Sequence, residues 1–227
     1  MQRARRLASI PVITAVGVLA LTGCRSEPGV AAYVGDTKIT EDRVTAIVDD
    51  VAEQLGDNAE IKPPSRGVVV STLVLGEVCK RLNPQPAQPG QPAITPEQMA
   101  QALQVPPTTT FAEESARLQT CLMRVRAGAP VTPTAEELAE LVRRGREAGA
   151  IPAEVTDEQA VQRLDGETLR GELARRNALN EAVADHDVTV NPRYRPLEFP
   201  LLRFQDNAAA VGVPLGEPGA DSVIDRR

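Results

Sequence analysis

Apolar residues recur every three or four positions along most of this chain, which is the spacing of helices that bury one face. The alternation of apolar and polar residues that marks a half-buried strand is confined to residues 30–39 and 187–190. The hydrophobic side chains are mostly Ala, Val and Leu, and such small aliphatics suit packing of helix on helix. The sequence therefore predicts a mainly α fold, with helices at about 41–55, 65–82, 96–104, 111–127, 134–149 and 157–186.

Most of these helices begin with a threonine that can accept a hydrogen bond from an unpaired backbone amide. Thr40 precedes Glu41 and Asp42, whose negative charges suit the positive end of a helix dipole. Four later helices carry the capping-box pattern, in which Gln or Glu follows the threonine by three residues. The four pairs are Thr95/Gln98, Thr110/Glu113, Thr134/Glu137 and Thr156/Gln159.

The last part of the chain shows neither period. Pro196 and Pro200 exclude a helix and interrupt strand pairing. Residues 205–227 show no apolar repeat of any kind. We therefore predict an extended or disordered tail at 196–227.

The N-terminus has the layout of an export signal. Arg3, Arg5 and Arg6 form a basic cluster, and the 17 residues 7–23 carry no charge. That run is shorter than the ~20 residues that a permanent membrane-spanning helix needs. A basic start followed by a short apolar run is typical of a segment that directs secretion.

Leu21, Thr22, Gly23 and Cys24 end that run and resemble the lipobox of bacterial lipoproteins. The resemblance implies a signal peptide at 1–23, a diacylglycerol thioether on the Cys24 sulfur, and a tether at 24–29. The protein would then be held on the extracytoplasmic side of the cell membrane. Two or three acyl chains anchor firmly, because each buried CH₂ contributes ~0.8 kcal/mol. An uncleaved signal anchor, or a plain signal peptide followed by a chance cysteine, is the alternative.

The charge balance argues against one class of partner. The whole chain has a net charge of −6, and residues 1–23 hold three arginines and no acid. Without them, 22 basic residues face 31 acidic ones, a net charge of −9. Nucleic-acid binding requires a basic face, so we expect no nucleic-acid partner.

Cys79 and Cys121 are the remaining cysteines, and each falls on the apolar side of a predicted helix. In an exported protein such a pair is a candidate disulfide. A bridge would staple the two helices and close a loop of about 40 residues, worth ~3–4 kcal/mol if it acts by restricting the unfolded chain. Two buried free thiols are the alternative.

Two distant segments together resemble the N-terminal chaperone domain of SurA-type and PrsA-type extracytoplasmic foldases, in particular the lipoprotein members. Residues 32–40, AYVGDTKIT, match a first strand that reads A-x-V-G-D-x-x-I-T and include Val34, Gly35 and Asp36. Residues 188–194, VTVNPRY, match a closing strand that reads V-x-V-N-P-R-Y and include Asn191, Pro192, Arg193 and Tyr194. The resemblance spans residues 30–195, although only its two ends carry recognisable motifs.

The resemblance implies a helical bundle closed by pairing of the N- and C-terminal strands, with a surface that binds unfolded or exported polypeptides. The family's glycine after the tyrosine is Arg195 here, so the turn that follows can differ. The parvulin prolyl isomerase module needs ~90 further residues and is missing, so isomerase activity is not implied. An envelope adaptor that uses the same helical fold to bind one folded partner is the alternative function.

No catalytic, cofactor-binding or metal-binding constellation is evident in the sequence. His186 is the sole histidine, and the end of a helix is where a cation suits the dipole. The chain has neither a CxxC motif nor a Gly-rich phosphate loop. Glu136 and Glu137 are more typical of solvated helix-surface carboxylates, like Glu140 beside Arg144, than of an acid/base pair. We therefore expect a protein that is not an enzyme and holds no cofactor or metal.

Overall fold

A computed structural model of the chain describes residues 27–57, 61–83, 90–204 and 208–216, and within them the protein is mainly α. The helices are α1 Glu41–Leu55, α2 Arg66–Leu82, α3 Pro96–Leu103, α4 Thr110–Leu122, α5 Ala135–Glu147, α6 Asp157–Leu164 and α7 Glu167–Asp185. The strands are β1 Val30–Val34, β2 Thr37–Thr40, β3 Val188–Val190, β4 Glu198–Arg203 and β5 Ala209–Pro214. The predicted signal peptide 1–23, Cys24, and residues 25 and 26 of the tether lie outside the described residues.

The two motif segments, residues 32–40 and 188–194, include strands that lie side by side in a three-stranded sheet of order β2-β1-β3. β1 pairs antiparallel with β2, and a two-residue turn joins them. On its other edge β1 pairs antiparallel with β3, with Ala32 opposite Val190 and Val34 opposite Val188. β1 is the central strand of this sheet, and all five of its residues are buried.

The helix starts follow the threonine pattern closely. The boxes at Thr95, Thr134 and Thr156 are confirmed, because in each the threonine oxygen and the Gln or Glu side chain both accept backbone amides. The box at Thr110 is wrong by one residue. Thr109 is the cap of α4, and its side chain accepts from the amide of Ala112.

The single helix predicted at 157–186 is two helices. α6 ends at Leu164, and α7 begins at Glu167. Both oxygens of the Asp165 carboxylate accept from the Arg170 guanidinium, at 2.9 and 3.0 Å, which holds the break in place. Gly166 precedes α7 in an extended conformation and provides no side-chain cap. The apolar residues keep a helical spacing across this break, so the sequence pattern did not reveal that the helix is divided.

The prediction of an extended or disordered tail at 196–227 is wrong for residues 198–203 and 209–214, which are strands. β4 and β5 form an antiparallel hairpin, and Val211 and Val213 on β5 are buried. Alternation is absent from β5 because its residues 210–213 are buried in succession. Residues 205–207 and 217–227 of the predicted tail lie outside the described residues.

Buried apolar residues fall into two groups. The larger cluster joins the three-stranded sheet to α1, α2, α4 and the second half of α7. The smaller cluster consists of Leu141, Leu169, Leu173, Ala210 and Val211. The β4–β5 hairpin touches both, because Phe199 packs against the larger cluster and Leu202 against the smaller one.

Candidate functional site

The motif residues at the end of β1 build a tight turn against α2 and α7. Gly35 has a φ of 53°, and its amide donates to the carbonyl of His186 at 2.7 Å. The Arg81 guanidinium donates to the carbonyl oxygen of Val34 at 2.6 Å. The left-handed backbone favours glycine here, and a Cβ at position 35 would lie 2.7 Å from an Arg81 guanidinium nitrogen, which would have to move. Asp36 is exposed at the turn.

Asn191 ties the end of β3 to the start of β1. Its backbone amide donates to the carbonyl of Ala31 at 2.9 Å, and its side-chain amide donates to the carbonyl of Val30 at 3.0 Å. Its side-chain oxygen accepts from the amide of Arg193 and starts a 3₁₀ turn at Pro192. The Asn191 side chain therefore continues the pairing of β3 with β1 through its amide nitrogen and ends β3 by starting the turn through its oxygen.

Tyr194 and Arg193 converge on a buried carboxylate that the sequence analysis did not single out. Glu41, in the first turn of α1, is only 9% exposed. Its Oε2 atom accepts from the Tyr194 hydroxyl at 2.8 Å and from the Arg66 guanidinium at 2.6 Å. Arg193 lies 3.5 Å from the other carboxylate oxygen. These four residues join the start of α1, the start of α2 and the turn after β3, and we call them the terminal clasp.

The terminal clasp holds Glu41 ionised. Burial opposes this charge, but hydrogen bonds from Arg66 and Tyr194 and the charge of Arg193 together outweigh it and lower the pKa of Glu41. Burial and the neighbouring Glu41 carboxylate raise the pKa of the Tyr194 hydroxyl. A carboxylate that accepts two side-chain hydrogen bonds and forms one further ion pair serves structure better than proton transfer.

The sequence had no signal for Glu41 and Arg66 as partners. An acid after a capping threonine is explained by the helix dipole alone. Arg66 is 25 residues away, beyond any local spacing rule. Arg195, which follows the closing motif, donates through Nε to the carbonyl of Val190 at 3.0 Å and thereby adds a further contact to β3.

Beside the sheet lies an open groove of about 860 Å³ between α2 and α4, bordered by β2. Its apolar lining includes Ile39, Leu73 and Leu118, and Gly76 leaves a gap in the side chains of α2. The rim carries ion pairs. They are Arg43–Glu114 at 2.9 Å, Arg117–Glu114 at 3.5 Å and Lys80–Glu77 at 3.7 Å.

The disulfide favoured from the sequence is present and lies at one end of this groove. Cys79 of α2 is bonded to Cys121 of α4, and their Cα atoms lie 6.1 Å apart. Cys79 is fully buried, whereas Cys121 lines the groove. The bridge fixes the separation of the two helices that form the groove walls.

The remaining candidates have structural surroundings. Glu137 caps α5, and the Thr134 amide and Arg176 guanidinium lower the pKa of its carboxyl group. His186 caps the end of α7 and contributes its backbone carbonyl to the turn at Gly35. Across the described ranges no group of three or more His, Cys, Asp or Glu side chains is arranged to hold a metal ion.

None of the helices in the described ranges combines the length and the apolar character needed to cross a bilayer. A scan against protein-family models, a search of curated proteins and a search of solved structures each find no match.

Proposed function

We propose that the chain is a membrane-anchored lipoprotein whose helical domain binds unfolded or exported polypeptides outside the cytoplasm. It does so without isomerase or other enzymatic activity, and without a cofactor. The lipid is attached to Cys24, and pairing of the terminal strands closes the helical bundle. The observation that carries this proposal is the groove between α2 and α4, which lies directly beside the sheet formed by the two motif segments.

The terminal strands support the proposal by their local chemistry. β1 and β3 are paired although they lie near opposite ends of the described chain. Beside them, Glu41 and Tyr194 are hydrogen-bonded across 153 residues of sequence. Asn191 and Tyr194, both taken from the motif, make contacts that depend on this arrangement. A fixed frame of this kind allows the helices on one side to present an open surface without loss of the fold.

The groove suits an extended polypeptide segment. It has apolar walls, and its rim is charged with both signs, so an apolar side chain can enter while the peptide backbone stays at the polar rim. Nothing in such a lining demands a particular sequence, and adaptable apolar surfaces of this type bind many partners.

The envelope-adaptor function has an observation in its favour as well. Among the described residues only four large apolar side chains are strongly exposed, namely Val68, Leu82, Leu103 and Met123. A holder of many clients usually offers a larger apolar surface than this. Binding one defined folded partner requires less exposed apolar surface.

Blocking the groove tests the proposal. Gly76 and Gly171 lie in the interiors of α2 and α7, and a Cβ at either position would meet no atom within 4 Å. Gly76→Phe places a ring in the groove, whereas Gly171→Phe makes the same change away from it. Both replacements relieve the same glycine penalty in a helix, so their effects on stability are matched.

The assay is suppression of aggregation of several unrelated unfolded proteins by residues 24–227 carrying Cys24→Ser. We expect the parent and Gly171→Phe proteins to delay aggregation at equimolar ratio, and Gly76→Phe to lose that effect. Equal activity of the two phenylalanine variants would remove the groove from the proposal. Failure of the parent on every client, together with capture of a single envelope protein, would favour the adaptor.

A further inference from the structure

The disulfide between α2 and α4 presents its two sulfur atoms unequally to the surroundings. Cys79 is fully buried in the larger cluster, so a reagent in solution does not reach its sulfur. Cys121 is partly exposed and forms part of the groove wall. A thiolate that attacks the bridge in the folded protein therefore attacks Cys121, and the groove is its path to that residue.

The bridge also fastens the helix ends on either side of the groove. Cys79 lies in the last turn of α2, and Cys121 is the residue before the end of α4. Toward their middles the helices are held without the bridge, because Val74 of α2 and Leu118 of α4 are buried in the larger cluster. Opening the bond therefore releases the two helix ends from each other while the middles stay packed, which changes the width of the groove at that end.

We propose that this bridge makes the groove redox-sensitive. A dithiol that enters the groove opens the bridge at Cys121 and weakens the binding of an unfolded polypeptide there. A bound polypeptide in turn shields Cys121 from the dithiol. The inference rests on the proposed function, since it concerns regulation of the same groove.

The reaction needs only the dithiol as co-reactant. One thiolate of the dithiol forms a bond to the Cys121 sulfur while the bond between Cys79 and Cys121 breaks, and Cys79 leaves with the electron pair and takes up a proton. The second thiolate then attacks the dithiol's own sulfur in the mixed disulfide, so Cys121 leaves, takes up a proton, and the dithiol becomes a cyclic disulfide. Asn83 donates from Nδ2 to the Cys121 sulfur at 3.5 Å, a contact that favours this second departure. Cys79 leaves into apolar surroundings, which solvate an anion poorly, so the first step is slow.

The two effects in the proposal are reciprocal. If opening the bridge weakens polypeptide binding by some factor, saturating polypeptide raises by the same factor the ratio of dithiol to cyclic disulfide at which half of the protein is reduced. We expect a factor of about five to ten, because only one end of the groove changes.

The rate of reduction tests the path through the groove without any client. The sequence has three cysteines, so residues 24–227 with Cys24→Ser retain only the bridged pair. Gly76 lines the groove about one helical turn before Cys79, so Gly76→Phe places a ring beside the bridge. Reduction by dithiothreitol, followed by alkylation and mass spectrometry, should be about fivefold slower in Gly76→Phe than in the parent, and unchanged in Gly171→Phe. Equal rates in the two phenylalanine variants would overturn the inference.

Urea distinguishes reduction of the native protein from reduction after global unfolding. The rate should stay constant at urea concentrations below the unfolding transition, because the native protein is the species attacked. A rate that rises steeply with urea in that range would mean that the dithiol reaches the bridge only in the unfolded chain, and this would also overturn the inference.

Shielding is measured with lactalbumin whose cysteines have been reduced and carboxymethylated, so that it stays unfolded and takes no part in the exchange. At saturation it should slow reduction of the parent about fivefold and give Gly76→Phe no further protection. Cys79→Ala combined with Cys121→Ala should bind it about five- to tenfold more weakly than the oxidised parent does, at a temperature where circular dichroism shows the variant to be folded.

The outcomes separate this inference from the proposed function. If the parent binds lactalbumin but its reduction rate and the affinity of the double variant are unchanged, the redox coupling is wrong and the proposed function stands. If the parent binds neither this nor any other unfolded protein, the proposed function and the shielding are both wrong. Slower reduction of Gly76→Phe would then retain only the groove as the path to the bridge.

Discussion

The two hydrophobic clusters differ in size and in what secures them. Among the described residues the larger cluster has 25 buried apolar members and the smaller one has five. The larger one also contains the Cys79–Cys121 bridge and the fully buried β1. The smaller one depends on β5, which approaches it from the far end of the chain. Burial therefore concentrates stability in the half of the molecule that forms the groove and the terminal clasp.

The smaller cluster is bordered by ion pairs instead. Arg144 lies 2.8 Å from Glu140 and 3.3 Å from Glu198 of β4, and Arg176 lies 2.5 Å from Glu137. Partly exposed pairs of this kind contribute about 0.2–1 kcal/mol each. The Arg144–Glu198 pair joins the hairpin to α5, and the Arg176–Glu137 pair joins α7 to α5, but such pairs do not replace a core. We expect α5 and the hairpin to exchange amide hydrogens before the larger cluster does.

Two leucines of α7 separate the clusters within one helix. Leu179 is fully buried in the larger cluster, and Leu173 is 1% exposed in the smaller one. Leu→Ala at a buried site costs about 2–5 kcal/mol, and more where the surroundings cannot collapse. We expect Leu179→Ala to cost about 4–5 kcal/mol in global urea unfolding and Leu173→Ala about 2–3 kcal/mol.

Hydrogen exchange sharpens this contrast. Leu173→Ala should speed exchange in α5 and β5 while α2 keeps its protection, whereas Leu179→Ala should speed exchange throughout. Equal losses of protection everywhere in both variants would mean that the two clusters unfold as one unit.

Removal of the disulfide should weaken the larger cluster selectively. Cys79 and Cys121 are 42 residues apart, and closing such a loop restricts the unfolded chain by about 4 kcal/mol. We expect Cys79→Ala combined with Cys121→Ala to lower the free energy of unfolding by about that amount. Parent protein treated with a reductant is the control and should match the variant. If the melting temperature were unchanged in both the double variant and the reduced parent, the disulfide would not stabilise the fold.

Local features of this fold were predictable from local chemistry. Three capping boxes and the start of α1 follow from short-range hydrogen bonding, which needs no tertiary information. The cysteine pair followed from the expected compartment and from two apolar helix faces. The neighbouring position of the two motif segments came from a family resemblance, since nothing in a three-residue strand such as β3 selects its partner.

The hairpin and the clasp could not be predicted for physical reasons. Ala210 and Val211 on β5 face one cluster and Val213 faces the other, so successive apolar residues replace the alternation that marks a strand. The Glu198 side chain covers Gly212 and leaves no room for a Cβ there. This contact exists only once the hairpin has formed. Likewise Glu41 and Arg66 become partners only once the starts of α1 and α2 lie side by side in the folded protein.

Acid titration separates the two regions through one carboxylate in each. Glu41 in the clasp and Glu137 beside the smaller cluster both have a pKa lowered from the ordinary value of 4.5. For Glu41, burial opposes the shift and the donors from Arg66 and Tyr194 outweigh it. For Glu137, the Thr134 amide is the main cause, followed by Arg176. A lowered pKa contributes stability above pH 4.5, and this is lost as pH falls through the lowered value.

The smallest effect we predict is therefore a pH dependence that differs between two variants. The stability gap between the parent and Glu41→Gln should be constant above pH 4.5 and should shrink below it, because the parent then protonates the same carboxyl group. Global urea unfolding at a series of pH values measures it. Glu137→Gln is the matched control in the other region and should act mainly on exchange of the amides in α5. A gap for Glu41→Gln that stays constant down to pH 2 would mean that the clasp carboxylate contributes nothing as an anion, and the larger region would then owe its advantage to burial and the disulfide alone.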